Sequence, residues 1–198
     1  MIKIKSFKTE EPDRNEIARY AGAKNASALS ELDECLEKCK GIFKNSVCYD
    51  IFNACIADEQ SDLGFCKVTS RSIGQWMKGC NKVLVFAATI GLEIDRLIHL
   101  YSTVSPAKAV LYQAIGAERI ESLCNTFCND IRNELASIGQ IITPRFSPGY
   151  GDLDISIQKD IFKVLDCTRK IGITLTDSFL MLPTKSVTAI IGIKSGKQ

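Results

Sequence analysis

Residues 105–151, SPAKAVLYQAIGAERIESLCNTFCNDIRNELASIGQIITPRFSPGYG, join two kinds of chain. In the first part Ile120, Leu123, Cys124, Phe127, Ile131, Leu135 and Ile138 recur every three or four residues, a spacing that gathers them on one face of a helix. Ser105 stands where a cap belongs, Pro106 suits the first turn, and Gly139 sits where a left-handed residue closes a helix. The second part drops that period. Ile141-Ile142-Thr143 suits a strand, and Pro148-Gly149 suits the two central positions of a type II turn, whose glycine takes positive φ. A long helix running straight into a strand and a tight turn points to a mixed fold.

Outward from this segment, the elements come without a steady β-α-β rhythm. Residues 1–7 read as a strand, and Pro12-Asp13 opens a short helix carrying Ile17, Tyr20 and Ala21. Ser27 is placed to cap a helix through Leu29, Leu32, Leu36, Cys39 and Phe43, ending near Gly41. Val47, Tyr49 and Ile51 alternate as a strand does; Asp62-Leu63-Gly64 marks a turn, and Phe65 to Val68 is a second short strand, which suggests a hairpin. Ser70 starts a helix with Ile73, Trp76 and Met77, and Lys82 to Thr89 is an apolar run expected to be a strand buried on both faces. Leu92 to Tyr101 is expected to be helical. Ile157, Ile161 and Leu165 mark one further helix, and Thr176–Leu182 and Ser186–Ile193 flank Pro183-Thr184-Lys185 as a hairpin. The pattern predicts an α+β fold with a largely antiparallel, twisted sheet and flanking helices. Residues 1–80 are expected to form an N-terminal α+β segment of the same domain, and residues 81–198 its core.

Composition narrows the function. With 198 residues the chain can bury roughly 70% of its unfolded surface, enough for one large domain or two small ones. There are 25 Lys and Arg against 23 Asp and Glu, interspersed and forming no basic stripe, which argues against a nucleic-acid partner. The longest apolar stretch, Val83 to Leu92, is too short to span a bilayer. The opening Met1-Ile2-Lys3-Ile4-Lys5 alternates and lacks the apolar core of a secretion signal, so a cytoplasmic location is expected. Nine cysteines without C-x-x-C pairs, and a single histidine, His99, fit reduced, packed thiols better than a disulfide framework or a metal site. A cysteine-dependent redox or metal protein is one alternative reading of these thiols. No Walker loop, G-x-G-x-x-G, G-x-S-x-G or H-E-x-x-H motif is present, so conventional hydrolysis and phosphoryl transfer are not expected.

The informative segment is 145–151. Arg145 offers a planar fork for a carboxylate and Tyr150 a flat face for a ring or a cation, on either side of a turn that exposes backbone groups. The same residues also make an ordinary tight turn with a surface arginine.

Arg145-Phe146-Ser147-Pro148-Gly149-Tyr150 resembles the R-x-x-P-G-Y loop of the activation domain of cobalamin-dependent methionine synthase. Leu175-Thr176-Asp177-Ser178-Phe179-Leu180-Met181-Leu182-Pro183, followed by Ser186-Val187, is similar to that family's L-T-E-S-F-x-M-x-P…S-V hairpin, at nearly the same distance. Glu118-Arg119-Ile120-Glu121 looks like the long helix before the loop, and the likeness spans about residues 82–193.

The resemblance implies that the chain binds S-adenosylmethionine. Arg145 would meet the ligand carboxylate and Glu121 its cationic end; Ser147 and Gly149 would supply backbone contacts, and Tyr150 would line the pocket. It further implies reductive methylation of cobalamin. The chain shows none of the corrinoid, homocysteine or folate modules, so that cobalamin would be held by a separate methionine synthase or other corrinoid protein, with flavodoxin or another one-electron reductant as donor. The family's tyrosine after the hairpin has no counterpart, because residues 188–198 contain no aromatic. That departure is the feature favouring the alternative, a non-catalytic interaction module that keeps the fold without the ligand.

Overall fold

The structure, a computed structural model, describes residues 1–24 and 29–196. Its strands are β1 (Lys3–Ser6), β2 (Ser46–Asn53), β3 (Gln60–Asp62), β4 (Lys67–Thr69), β5 (Lys82–Thr89), β6 (Gln140–Ile142), β7 (Thr174–Leu175), β8 (Met181–Leu182) and β9 (Ser186–Ser195). Its helices are α1 (Arg14–Tyr20), α2 (Leu32–Lys38), α3 (Arg71–Trp76), α4 (Glu93–Val104), α5 (Pro106–Ala136), α6 (Gln158–Leu165) and α7 (Cys167–Ile171). Five strands build one antiparallel sheet in the order β1-β2-β5-β9-β6, so the α+β expectation holds.

β5 explains why the sheet has two covered faces. Leu84, Phe86 and Ala88 enter one core, while Val83, Val85 and Ala87 enter another, as the period-2 alternation of a strand requires. Its uninterrupted apolar sequence is what burial on both sides demands. The first core is covered by α1, α2, α4 and the 31-residue α5. Phe127 of α5 packs edgewise on Tyr49 of β2 and tilted on Phe86, with ring centroids 5.2 and 4.9 Å apart. Cys35, Cys39 and Cys124 are buried in this core as small apolar side chains, and burial pushes the thiols of Cys39 and Cys124 up to about 12. The second core lies under α3, α6 and α7. No helix among the described residues is long and apolar enough to cross a membrane.

Several local expectations differ from what is observed. The expected hairpin of 176–182 with 186–193 does not form. Thr176 closes a turn instead: its N–H donates to Leu180 O at 2.9 Å, the Phe179 N–H donates to Thr176 O at 3.0 Å, and Phe179 takes a φ of 63°. The alternation there marks turn residues, and Leu180 is exposed. β9 instead takes an interior position between β5 and β6, and β8 pairs with β7. The hairpin at Asp62-Leu63-Gly64 exists, but its first strand is β3; the 47–51 strand pairs with β1 and β5. The helix expected from Ser27 starts only at Leu32, and Ser27 itself lies outside the described residues. The helix marked by Ile157, Ile161 and Leu165 begins as a 3₁₀ turn at Ile155–Ile157 and is followed by a second helix, because Asp166 takes a left-handed φ of 50° that breaks the run into α6 and α7.

One glycine sets the position of α3. A Cβ on Gly74 would come within 2.6 Å of Ala57 O and 2.8 Å of Asp58 O, so only glycine lets the helix approach the 57–58 backbone this closely. Gly74→Ala is therefore expected to lower stability by about 1–3 kcal/mol, the usual cost of overpacking, although alanine is the better helix former. Urea denaturation measures it; an unchanged midpoint would show that α3 can slide away freely.

Candidate functional site

The site arises where the sheet is left incomplete. β6 pairs only with the far end of β9, Gln140 opposite Ser195 and Ile142 opposite Ile193. Thr143 still holds the edge, its N–H donating to Gly192 O and its Oγ1 accepting the Gly192 N–H, both at 2.9 Å; the chain touches it again where Phe146 and Ile190 exchange backbone hydrogen bonds of 2.8 Å in both directions. Beyond that bridge no strand among the described residues pairs with β9 on this side, and a cavity of about 850 Å3 opens against Ser186, Val187 and Thr188. α5 walls it from the first core's side with Glu121. α3 contributes Ser72, Gln75 and Trp76, and α6 contributes Gln158. The 145–151 loop completes the wall. The volume lies within the roughly 300–1,000 Å3 of small-molecule pockets.

The loop has the geometry its sequence implies. The Tyr150 N–H donates to Ser147 O at 3.2 Å and Gly149 takes a φ of 89°, the type II arrangement with proline and glycine at its centre. Arg145, Ser147 and Tyr150 line the cavity, Tyr150 at its exposed rim. Gly149 does not: its N–H is used within the loop, donating to Leu153 O at 2.8 Å.

Arg145 and Glu121 are brought together and form an ion pair with each other. Arg145 also donates to Asn125 Oδ1 at 3.1 Å, so its guanidinium is held by two side chains one turn apart on α5. Its other neighbours are Cys124 and Cys128, whose thiols burial pushes up, leaving them neutral near pH 7. Glu121 is thus the anion that faces the guanidinium. Joined in this way, the two charges form one side-by-side dipole and do not stand at opposite ends of the cavity.

Asp152 ties the loop to α3. It accepts from Ser70 Oγ at 2.5 Å, Arg71 N–H at 2.8 Å and Ser72 N–H at 3.1 Å, capping a helix that is distant in sequence. The hydrogen bond from Ser70, with help from Ser72 and the Arg71 backbone, holds its carboxyl well below the usual carboxylate range. A lowered folded-state pKa stabilises the fold above the unfolded value of about 3.9, and this contribution is lost as pH falls through the folded value. Asp152→Asn is expected to melt below the parent by a constant margin above about pH 5, the margin shrinking as the pH drops past 4. A margin that stays constant down to pH 2 would show that the clamp is not ionic.

Trp76, Gln158 and Thr188 also form this wall, though the sequence places them only as helix or strand residues. The capping Ser70 and the apolar Ile73 and Met77 identify α3; nothing in their spacing aims Trp76 at the 145–151 loop.

The family model for the activation domain of vitamin B12 dependent methionine synthase matches residues 73–196, which contain nearly all of this wall. No curated protein matches the chain in sequence. A solved structure, the MetH reactivation domain bound to AdoHcy, superposes with a TM-score of 0.71 at 15% identity, covering 100% of this chain and 80% of that one. At that identity the likeness establishes the fold, including the strands and helices before residue 73. With the family match covering well over half of its length, this chain belongs to the vitamin B12 dependent methionine synthase activation domain family.

Proposed function

We propose that the cavity beside the 145–150 turn binds S-adenosylmethionine, and that the chain uses it to support reductive methylation of cobalamin held by a separate methionine synthase or other corrinoid protein in the cytoplasm. The observation that carries this reading is the Arg145–Glu121 pair set in a cavity wall of ligand size. An α-amino acid end bears a carboxylate and an ammonium on one carbon, so a guanidinium and a carboxylate side by side are its complement. Arg145 would take the ligand carboxylate through its fork and Glu121 the ammonium. Ser147 and Tyr150 would lie along the ligand, and Gly149 would act by shaping the turn. AdoHcy, bound by the structural relative, shares this amino acid end and its nucleoside.

Cobalamin bound by the partner would supply the nucleophile for the sulfonium methyl, once an electron from flavodoxin or another one-electron donor had reduced its cobalt. The chain's residues need only hold and orient the methyl donor and exclude water around it. The ligand-holding role falls on residues 81–198 together with α3 from the N-terminal segment.

Thermal-shift titration tests the reading. S-adenosylmethionine at 100 times its dissociation constant adds about 2.7 kcal/mol to stability. An unmoved melting point at millimolar ligand would overturn it. The alternative, an interaction module without ligand, is favoured by the fact that Arg145 and Glu121 already satisfy each other; it predicts no shift, yet a complex with a corrinoid protein.

A further inference from the structure

The cavity has two unlike ends. Arg145 and its neighbour in sequence point to opposite sides of the loop: Arg145 meets α5 on the side of the first core, whereas Phe146 packs with the second. Trp76 lies with Phe146, ring centroids 5.7 Å apart, and its indole N–H donates to Pro144 O at 3.0 Å. These two contacts fix the plane of an indole that is still 47% exposed and forms cavity wall. A flat, oriented and accessible aromatic face is a stacking platform.

Two further side chains in the same wall lack partners. Gln158 is 6% exposed and Thr188 2%, yet Gln158 Oε1 and Thr188 Oγ1 have no hydrogen-bond partner among the described residues. Buried polar groups are nearly always paired, and two orphans in one cavity wall call for a ligand with polar edges. A carboxamide is the side-chain group that pairs with the N6 and N7 edge of adenine.

We propose that Trp76, Gln158 and Thr188 form a nucleobase subsite, the indole stacking on an aminopurine ring while the carboxamide and the hydroxyl take its polar edge. This deepens, and rests on, the reading that S-adenosylmethionine binds here. It assigns the ring-binding role to α3 and α6.

Trp76 is the sole tryptophan, so its emission reports on this subsite alone. Adenosine, S-adenosylmethionine and S-methylmethionine, a sulfonium without a base, are titrated while emission is followed, with calorimetry in parallel. Adenosine and S-adenosylmethionine should quench; S-methylmethionine should not. Trp76→Ala should weaken adenosine at least tenfold by calorimetry, and Trp76→Phe by less than about threefold. The intact protein should prefer adenosine to inosine at least fivefold, and Gln158→Leu should erase that preference. Because Trp76 is half exposed, its variants should melt with the parent, which circular dichroism checks. Calorimetric binding of S-adenosylmethionine without quenching, and unchanged in Trp76→Ala, overturns the subsite and leaves the proposed function standing. Quenching by adenosine with no binding of S-adenosylmethionine upholds the subsite and overturns the proposed function. Binding of neither overturns both.

Discussion

Arg145→Ala is expected to weaken S-adenosylmethionine binding by about 30- to 150-fold, erasing the thermal shift at ligand concentrations that saturate the parent. A hydrogen bond to a charged group is worth about 1.5–3 kcal/mol, and the fork makes two to one carboxylate. Losing 2–3 kcal/mol multiplies the dissociation constant by this factor. The unliganded protein should barely notice. The side chains of Arg145 and Glu121 are 24% and 40% exposed, and a pair so open to water contributes about 0–1 kcal/mol to folding. This separation of effects gives the prediction its force: large on binding, small on stability. Arg145→Lys should fall between, since it keeps the charge and loses the planar fork. Glu121→Gln should cost less than Arg145→Ala, because the neutral amide still accepts from an ammonium. Calorimetry decides, and wild-type affinity in Arg145→Ala would remove the guanidinium from the site.

The long helix, the Pro-Gly turn and the buried β5 were legible in the sequence because each is specified locally, by period, cap or turn chemistry. The pairing of β9 was not. A strand covered on both faces looks the same whether its neighbour is the preceding segment or one that is distant in sequence, and the alternation from Thr176 to Leu182 mimics a hairpin arm while folding as a turn. The site shows the same division. Arg145, Ser147 and Tyr150 sit within one short motif, and Glu121 could be assigned through family likeness. Trp76, Gln158 and Asp152 reach the site only through tertiary contacts: the Asp152 clamp on α3, the close approach that Gly74 permits, and the unpaired edge of β9. No window of sequence contains those contacts.

The largest effect on stability is expected two residues before Glu121. Glu118 and Arg119 are each only 5% exposed and pair with each other inside the protein. Arg119 also donates to Glu10 O, and to Glu11 O at 3.2 Å, while Glu118 Oε1 accepts the Asp13 N–H at 3.3 Å. Asp13 in turn caps α1, accepting from Asn15 N–H at 2.9 Å and Glu16 N–H at 3.1 Å. The pair therefore fastens the connection between β1 and α1 to the middle of α5. Two charges removed from water are tolerable only while each neutralises the other and their remaining hydrogen-bonding groups are used. Arg119→Met leaves Glu118 buried and unpaired and frees two carbonyls, so a loss of about 3–5 kcal/mol is expected by urea denaturation. The double change Glu118→Gln with Arg119→Met removes the stranded charge and should recover a substantial part of that loss. Arg19→Ala, which breaks the exposed pair with Glu16, serves as the contrast and should leave the urea midpoint nearly unmoved. Equal losses for Arg119→Met and Arg19→Ala would mean that water reaches the inner pair, and α1 would then be held by its buried apolar residues, Ile17 and Ala18.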